Sequence, residues 1–341
     1  MDAVDNFSEV LTRFVSLGGI ATNITQREGK YGRGIFSIDS SRKAKIMSPM
    51  NLFVEVTNLS ISSGELFLTD KTGYTVDEVS FLETYYNDFS WGNNGNSDSI
   101  SFLGFISSLK ESTKNQLVSN RFLPKQALNT CESEQTLLNR FIGERVVRFG
   151  GKSVLAPVWE FVNHSSFSAP LRIESYGVET PPVEPSTEEI FFKYSEKNSP
   201  IGMWAKYGFA CKCIVSYSIP FVFQVSNHSL YVSCSGEFGS SSHAKAPFSV
   251  VGNTLVIPSL PIGCMSTTLA WKNLVLILSS IGFSKDIAEN LFPKIIELNL
   301  NARRDLIDNL SESAHGSQSP LYNALKYEID LIEASSIGKN F

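Results

Sequence analysis

The chain has 341 residues, with a hydrophobic fraction of 42% and a charged fraction of 18%, values of a globular protein with a core large enough to need no covalent staples. A formal charge of -5 and no basic run longer than Arg303-Arg304 argue against nucleic-acid binding, which needs clustered Lys and Arg. The longest apolar stretch, residues 274–278, is too short to span a bilayer.

In chain order, Phe7, Val10, Leu11, Phe14 and Leu17 follow helical spacing and Gly18-Gly19 ends the run. The acidic start lacks the apolar core of a secretory signal, so a cytoplasmic protein is expected. The five cysteines are odd in number and irregular in spacing, which disfavours a disulfide framework. Asn227-His228-Ser229 then reads as a chance glycosylation pattern. The run Glu28-Gly29-Lys30-Tyr31-Gly32-Arg33-Gly34 is a tight turn into a strand, and residues 47–56 form another strand. Thr75-Val76-Asp77-Glu78 has the form of a capping box, after which Val79, Leu82 and Tyr86 continue a helical face.

Residues 91–99, rich in Gly, Asn and Ser, are expected to be a loop, and residues 100–109 and 134–141 helical. Residues 60–145 thus read as a mostly helical insert between strand-rich parts. From residue 154 to 225 the pattern is strand-like again. Strands at 221–225 and 229–233 lead through a Gly/Ser loop into a helical end. There Ser319-Pro320 opens a helix with Leu321, Leu325, Ile329 and Ile332 as its buried stripe. The expected divisions are an N-terminal helix (1–25), two strand-rich parts (26–57 and 151–220) flanking the insert (58–150), and a mostly helical C-terminal domain (221–341).

Common enzyme signatures are absent: no Gly-x-x-x-x-Gly-Lys, no His-Glu-x-x-His, no Gly-x-Ser-x-Gly. His164, His228, His243 and His315 are scattered, and Cys211-Lys212-Cys213 supplies two ligands rather than four, so no metal site is expected. The cysteine pair reads as two small residues on one face of a strand. The Gly32-Arg33-Gly34 turn permits close backbone approach to a ligand, or is simply a turn. Asn163-His164 follows an apolar run, 154–162, broken only by the charge of Glu160. A polar pair in such a setting is a hydrogen-bond node or a ligand site. Arg140 can meet a carboxylate or can lie solvated on a helix end. Tyr194 and Tyr207 can pack as half-buried strand residues.

Four segments in this order, Tyr31-Gly32-Arg33-Gly34-Ile35, Asn139-Arg140, residues 155–165 ending in Asn163-His164-Ser165, and Glu188-Glu189-Ile190-Phe191-Phe192-Lys193-Tyr194 followed by Asn198 and Tyr207-Gly208-Phe209, resemble the SET-domain protein methyltransferases. The branch resembled is that of Rubisco large-subunit lysine and actin-histidine methyltransferases, in spaced motifs over roughly residues 26–215. The resemblance implies a mixed α+β, β-rich SET fold with a pseudoknot, and S-adenosylmethionine as cofactor. It implies methylation of a protein side chain, lysine first and histidine second; a monomer is expected, and charge and apolar-run length predict binding to neither nucleic acid nor membrane.

By the same resemblance, Tyr31, Gly32, Arg33, Gly34, Arg140, Asn163 and His164 bind the cofactor. Tyr194 walls the substrate channel, Tyr207 stands at the methyl transfer, and the C-terminal domain docks the protein substrate. The alternative is a SET-like scaffold that has lost turnover and binds a partner through its C-terminal domain. The chain departs from the family pattern at Tyr31 (usually acidic), Glu160 (usually Asp), and Thr187 and Ser195 (usually Gly).

Overall fold

A computed structural model describes residues 3–128, 133–181, 183–185, 188–194, 199–225, 228–233, 248–252, 254–257, 260–263, 269–311 and 319–337. Thr187, Ser195, Asn198, Cys131, Cys234, Cys264 and the Gly/Ser loop lie outside these residues. The fold is mixed α+β, in two compact units: residues 1–105 with 130–194, and residues 106–129 with 195–341. Residues 106–129 of the expected insert group with the second unit, as do residues 195–220, which sequence placed with the strand-rich part.

In the first unit, the opening helix Ala3–Ser16 buries Phe7 and Phe14. Its stop is a Schellman motif: Gly18 sits at φ 96°, its N–H bonds Val15 O at 3.0 Å, and Gly19 N–H bonds Phe14 O at 3.0 Å. Strands Ile20–Thr22, Lys45–Pro49, Gly177–Glu179 and Arg172–Glu174 form an antiparallel sheet. A second sheet orders Val54–Glu55, Lys152–Leu155 and Val147–Phe149. The expected strand over 47–56 is therefore two strands in two sheets, separated by the 3₁₀ turn Met50–Leu52. Pro49 has no N–H to continue the ladder, and the Met50 N–H bonds Tyr176 O instead.

The expected insert contains an unforeseen hairpin, Leu59–Ser62 with Glu65–Leu68. Its corner, Ser63 and Gly64 with φ 54° and 82°, is the two-residue turn that suits strand twist. The capping box is present: Glu78 N–H bonds Thr75 Oγ1 at 3.2 Å and Thr75 N–H bonds Glu78 Oε2 at 2.7 Å, opening the helix Val76–Thr84. The expected loop at 91–99 is instead helical. A π-helical stretch, Tyr85–Gly95, runs into the helix Asn96–Ser108. Tertiary contacts override the local Asn/Gly preference. Trp91 is buried with its Nε1 on Gly64 O at 2.8 Å, and the Asn87 amide bonds both Leu66 N–H and Leu66 O. The helix Glu134–Arg145 follows, and Leu52, Phe81, Tyr85, Phe141, Val158 and Phe192 belong to one apolar core.

In the second unit the sequence expectation of strand over the Tyr207 region is corrected to helix, Pro200–Tyr207. Strands Phe221–Val225, His228–Ser233, Thr254–Val256 and Ser249–Val251 form a mixed sheet in that order. Helices Leu269–Ser280, Lys285–Ser311 and Pro320–Ile337 follow. Ser319 caps the last, accepting from Tyr322 N–H at 3.2 Å, and Leu321, Leu325 and Ile332 are buried while Ile329 is half-buried. Among the described residues no helix is long and apolar enough to cross a membrane.

Candidate functional site

The site in the first unit begins with a hairpin, Ile24–Gly29 with Gly32–Ser37. Gly32, at φ 86°, closes its corner in a conformation that side chains resist. Tyr31 at the corner is 59% exposed and meets Phe191 edge-on at 5.9 Å. Lys30 Nζ lies 5.2 Å from the Tyr31 ring. Two residues further, Gly34 is buried, and a Cβ there would collide with the Glu189 carboxylate and come within 2.9 Å of Asn163 Nδ2. Glycine is needed here because an amide and a carboxylate press on the backbone. Gly34→Ala is accordingly expected to destabilise the fold by about 1–3 kcal/mol through overpacking. A shift of the urea midpoint to lower concentration measures it.

Asn163 and His164 form a short strand parallel to Phe191–Phe192. On its other side, Glu189 bridges Phe36, and Ile190 N–H bonds Ile35 O at 2.7 Å. Residues 189–192 are thus held between the hairpin and the Asn163-His164 strand. Asn163 Nδ2 donates to Arg33 O at 3.1 Å and to Glu189 Oε1 at 2.5 Å. Burial pushes the Glu189 carboxyl above its ordinary range, and the Asn163 amide works against that shift. In the sequence Glu189 is one of two adjacent glutamates, Glu188-Glu189, with nothing local to distinguish it. Its place beneath Gly34 makes it a member of the site.

His164 is locked by two bonds: its Nδ1 accepts from Tyr194 N–H at 3.0 Å, and its Nε2 lies 3.2 Å from Ser166 Oγ. An Nδ1 that accepts places the proton of a neutral imidazole on Nε2. Tyr194 folds back on the same strand, its hydroxyl donating to Val162 O at 2.9 Å and its ring 5.1 Å from that of His164. The ring stays half-buried against Phe192, at 4.7 Å.

The approach to Asn163 is strained. Val158 is fully buried at φ 74° and ψ −51°, and Trp159 N–H bonds Pro157 O at 3.0 Å. This is the rare γ-turn, held by a β-branched residue, and it costs on the order of 1–3 kcal/mol. Tyr85 holds it in place: its hydroxyl accepts from Val158 N–H at 2.9 Å and donates to Glu160 Oε1 at 2.5 Å. Glu160 meets Arg145 Nε at 3.1 Å. Burial raises the Glu160 carboxyl, while Arg145 and the Tyr85 hydroxyl oppose that. Burial also drives the Tyr85 phenol well above its usual range, with Glu160 adding to it.

Arg33 extends its guanidinium over Phe161 and Phe89, at 5.2 and 5.6 Å. Burial lowers its pKa, against the pull of Tyr85 and Glu160. Arg140 connects to this group at a remove. Its Nε meets Glu144 Oε1 at 2.7 Å, Glu144 also meets Arg145 at 2.9 Å, and its guanidinium lies 3.6 Å from the centre of the Phe102 ring. Burial lowers its pKa too, with Glu144 opposing.

The structure therefore assembles Tyr31, Gly32, Arg33, Gly34, Asn163, His164 and Tyr194, with Glu189 added, and sets Arg140 on a neighbouring helix. A cavity of about 210 Å³ in the same unit is lined by Glu9, Val10, Arg13, Phe81, Thr84, Tyr85, Asp88 and Phe89. All of its lining residues lie outside that set, and it falls below the usual volume of a ligand pocket.

Tyr207 belongs to the second unit. It ends the helix Pro200–Tyr207, which Gly208 stops in the left-handed conformation, φ 78°, with its N–H on Trp204 O at 2.8 Å. The Tyr207 ring is stacked on Phe209 at 6.1 Å and lies 4.9 Å from Lys206 Nζ. The start of this helix leaves no described donor idle: Pro200 has no N–H, Ile201 N–H bonds Glu328 Oε1 at 3.0 Å, and Gly202 N–H bonds Ser199 Oγ at 3.1 Å. Glu328 is paired with Arg303, whose Nε lies 2.7 Å from Oε2. Arg303 in turn bonds Asn299 O at 2.9 Å, and Asn299 Oδ1 accepts from Ser218 N–H at 3.0 Å.

Cys211 and Cys213 lie in an irregular segment rather than on a strand, with their sulfurs 3.8 Å apart. A hydrogen bond to Cys211 and burial both push the Cys213 thiol far up, away from thiolate chemistry. No group of three or more His, Cys, Asp or Glu among the described residues is placed to hold a metal ion.

No family model and no curated protein matches the chain. Solved structures that it is similar to include the SET domain of LSMT bound to lysine and AdoHcy, at 12% identity and a TM-score of 0.43, over 99% of this chain and 91% of that one. Rubisco LSMT bound to AdoMet is similar at 14% identity and a TM-score of 0.43, over 98% and 91%. Rubisco LSMT bound to sinefungin and monomethyllysine is similar at 13% identity and a TM-score of 0.42, over 99% and 91%.

Proposed function

We propose that the chain is a SET-domain methyltransferase that moves a methyl group from S-adenosylmethionine to a protein side chain, with lysine as the acceptor. The observation that supports the reading most is the junction at Gly34. A glycine turn, an Asn from 129 positions later and a carboxylate from 155 positions later meet there with their hydrogen bonds in register. Nothing in local folding requires Asn163 at this point, since a pair of short parallel strands can be built from apolar residues alone.

The residues fit the cofactor on two grounds. The exposed hairpin corner at Tyr31 and Gly32 leaves backbone open to close approach, and Asn163 keeps its amide oxygen as an acceptor once its nitrogen is bound twice. Arg33, Gly34, Asn163 and His164 would hold S-adenosylmethionine, which supplies a methyl carbon made electrophilic by its sulfonium. His164 contributes mainly through its backbone, because its ring is already committed to Tyr194 and Ser166. Arg140 is assigned to the cofactor carboxylate on resemblance alone. Glu144 already partners its charge. Tyr194 presents its ring rather than its hydroxyl to the substrate channel, since that hydroxyl is held by Val162. Tyr207 aims and polarises at the methyl transfer, and residues 221–341 dock the protein substrate.

Calorimetry tests the first step. Wild-type protein is expected to bind S-adenosylmethionine, and Asn163→Ala is expected to weaken binding by roughly 10- to 100-fold, the cost of an unpaired buried group. No binding at saturating cofactor would end this reading.

A further inference from the structure

We propose that Glu189 is a positioning residue that makes this corner of the site acceptor-only, so that it selects an ammonium group. The inference rests on the methyltransferase reading. It names the part of the cofactor held at this point: the α-ammonium of its amino-acid moiety.

The argument starts from the Asn163 amide. An Asn side chain carries one acceptor oxygen and one nitrogen with two hydrogens. Both hydrogens are spent, one on Arg33 O at 3.1 Å and one on Glu189 Oε1 at 2.5 Å. The flipped amide would set its oxygen against a carbonyl and a carboxylate, three acceptors together, which is repulsive. The orientation is therefore dictated by the network rather than by choice. Asn163 Oδ1 remains as an acceptor, with the Glu189 carboxylate beside the same amide. Glu189 is half-buried, and an amide donor only partly offsets the cost of burying its charge. The bare backbone at Gly34 lets the carboxylate lie this close. Two acceptors, one of them charged, call for a cationic donor and repel a carboxylate.

Glu189→Gln keeps the shape and can still offer Asn163 an oxygen, but it removes the charge. Two nucleosides read the difference. S-Adenosylhomocysteine carries the amino-acid moiety, and 5′-methylthioadenosine does not. By calorimetry, Glu189→Gln is expected to weaken S-adenosylhomocysteine about tenfold or more, as loss of a charge-assisted bond does, and to leave 5′-methylthioadenosine unchanged. The ratio of the two affinities is independent of how much of the variant is folded. Glu189→Asp keeps the charge and is expected to hold S-adenosylhomocysteine more tightly than Glu189→Gln does. Equal weakening of both nucleosides, no change in either, or the reverse order of the Asp and Gln variants would each overturn the proposal. Wild-type protein that binds neither nucleoside would overturn the methyltransferase reading itself, a distinct result.

Discussion

Glu328→Ala is expected to destabilise the second unit by about 3–5 kcal/mol, the cost of removing one partner from a buried ion pair. Arg303 and Glu328 are only 2% and 1% exposed. Without the carboxylate, the guanidinium keeps Asn299 as a hydrogen-bond partner and the Phe122 ring at 4.7 Å, neither of which carries a compensating charge. The loss also strips the acceptor from Ile201 N–H at the start of the helix Pro200–Tyr207, where a negative charge is favoured by the helix dipole. Glu328→Gln should lose less, because its oxygen can still accept from Ile201. Replacing both partners, Arg303→Met with Glu328→Leu, should recover much of the loss, since desolvation of the pair cancels most of its attraction. Urea midpoints of the three variants measure this. A single Ala variant with the wild-type midpoint would show that the pair contributes nothing net.

What could be read from the sequence follows the range of the interaction that decides it. The capping box at Thr75 and Glu78, the glycine stop after the first helix and the Ser319-Pro320 start are settled within a few residues, and the structure has all three. The same local signal stands at Ser199-Pro200 with a glycine stop at Gly208. The strand-like pattern around it hides that signal, because eight residues carry too few repeats of a helical period to stand out. Likewise, Ser63-Gly64 marks a hairpin turn inside a region read as helical.

Other features have no local cause. The π-helical stretch owes its form to Trp91 and Asn87 meeting backbone on a distant hairpin. The γ-turn at Val158 falls on a residue type that disfavours it and is held by Tyr85, 73 positions earlier. For the site, the Asn163-His164 pair stood out because polar letters follow an apolar run. That Glu189 would be the group beneath Gly34 depends on pairings 130 and 26 residues apart, which no local pattern records.

On the proposed reading, Tyr207→Phe is expected to lower turnover by roughly 10²–10³ while leaving cofactor affinity unchanged, as expected for a group that acts where charge and geometry change. The ring would remain, so its stacking on Phe209 and its contact with Lys206 should persist, and so should the helix stop at Gly208. Methyl transfer from a sulfonium is an in-line displacement that needs a neutral nucleophile and accurate aim. A phenol oxygen can hold the polarised methyl by C–H···O contact and favour the cationic sulfonium. A rate loss without an affinity loss is the kinetic sign of a group that acts mainly in the transition state. Turnover should also rise with pH for a lysine acceptor, because a free ε-amine is almost wholly protonated at neutral pH and only the neutral amine attacks. A histidine acceptor, already mostly neutral there, would give a much shallower rise. Steady-state rates of wild type and variant across pH, with labelled cofactor and a cell lysate as the source of substrate, separate these outcomes. A Phe variant that turns over at the wild-type rate would leave Tyr207 as a packing residue and move the assignment to Tyr194. That move faces a geometric obstacle: the Tyr194 hydroxyl is already donated to Val162 O, so it could serve only through its lone pairs or after giving up that bond.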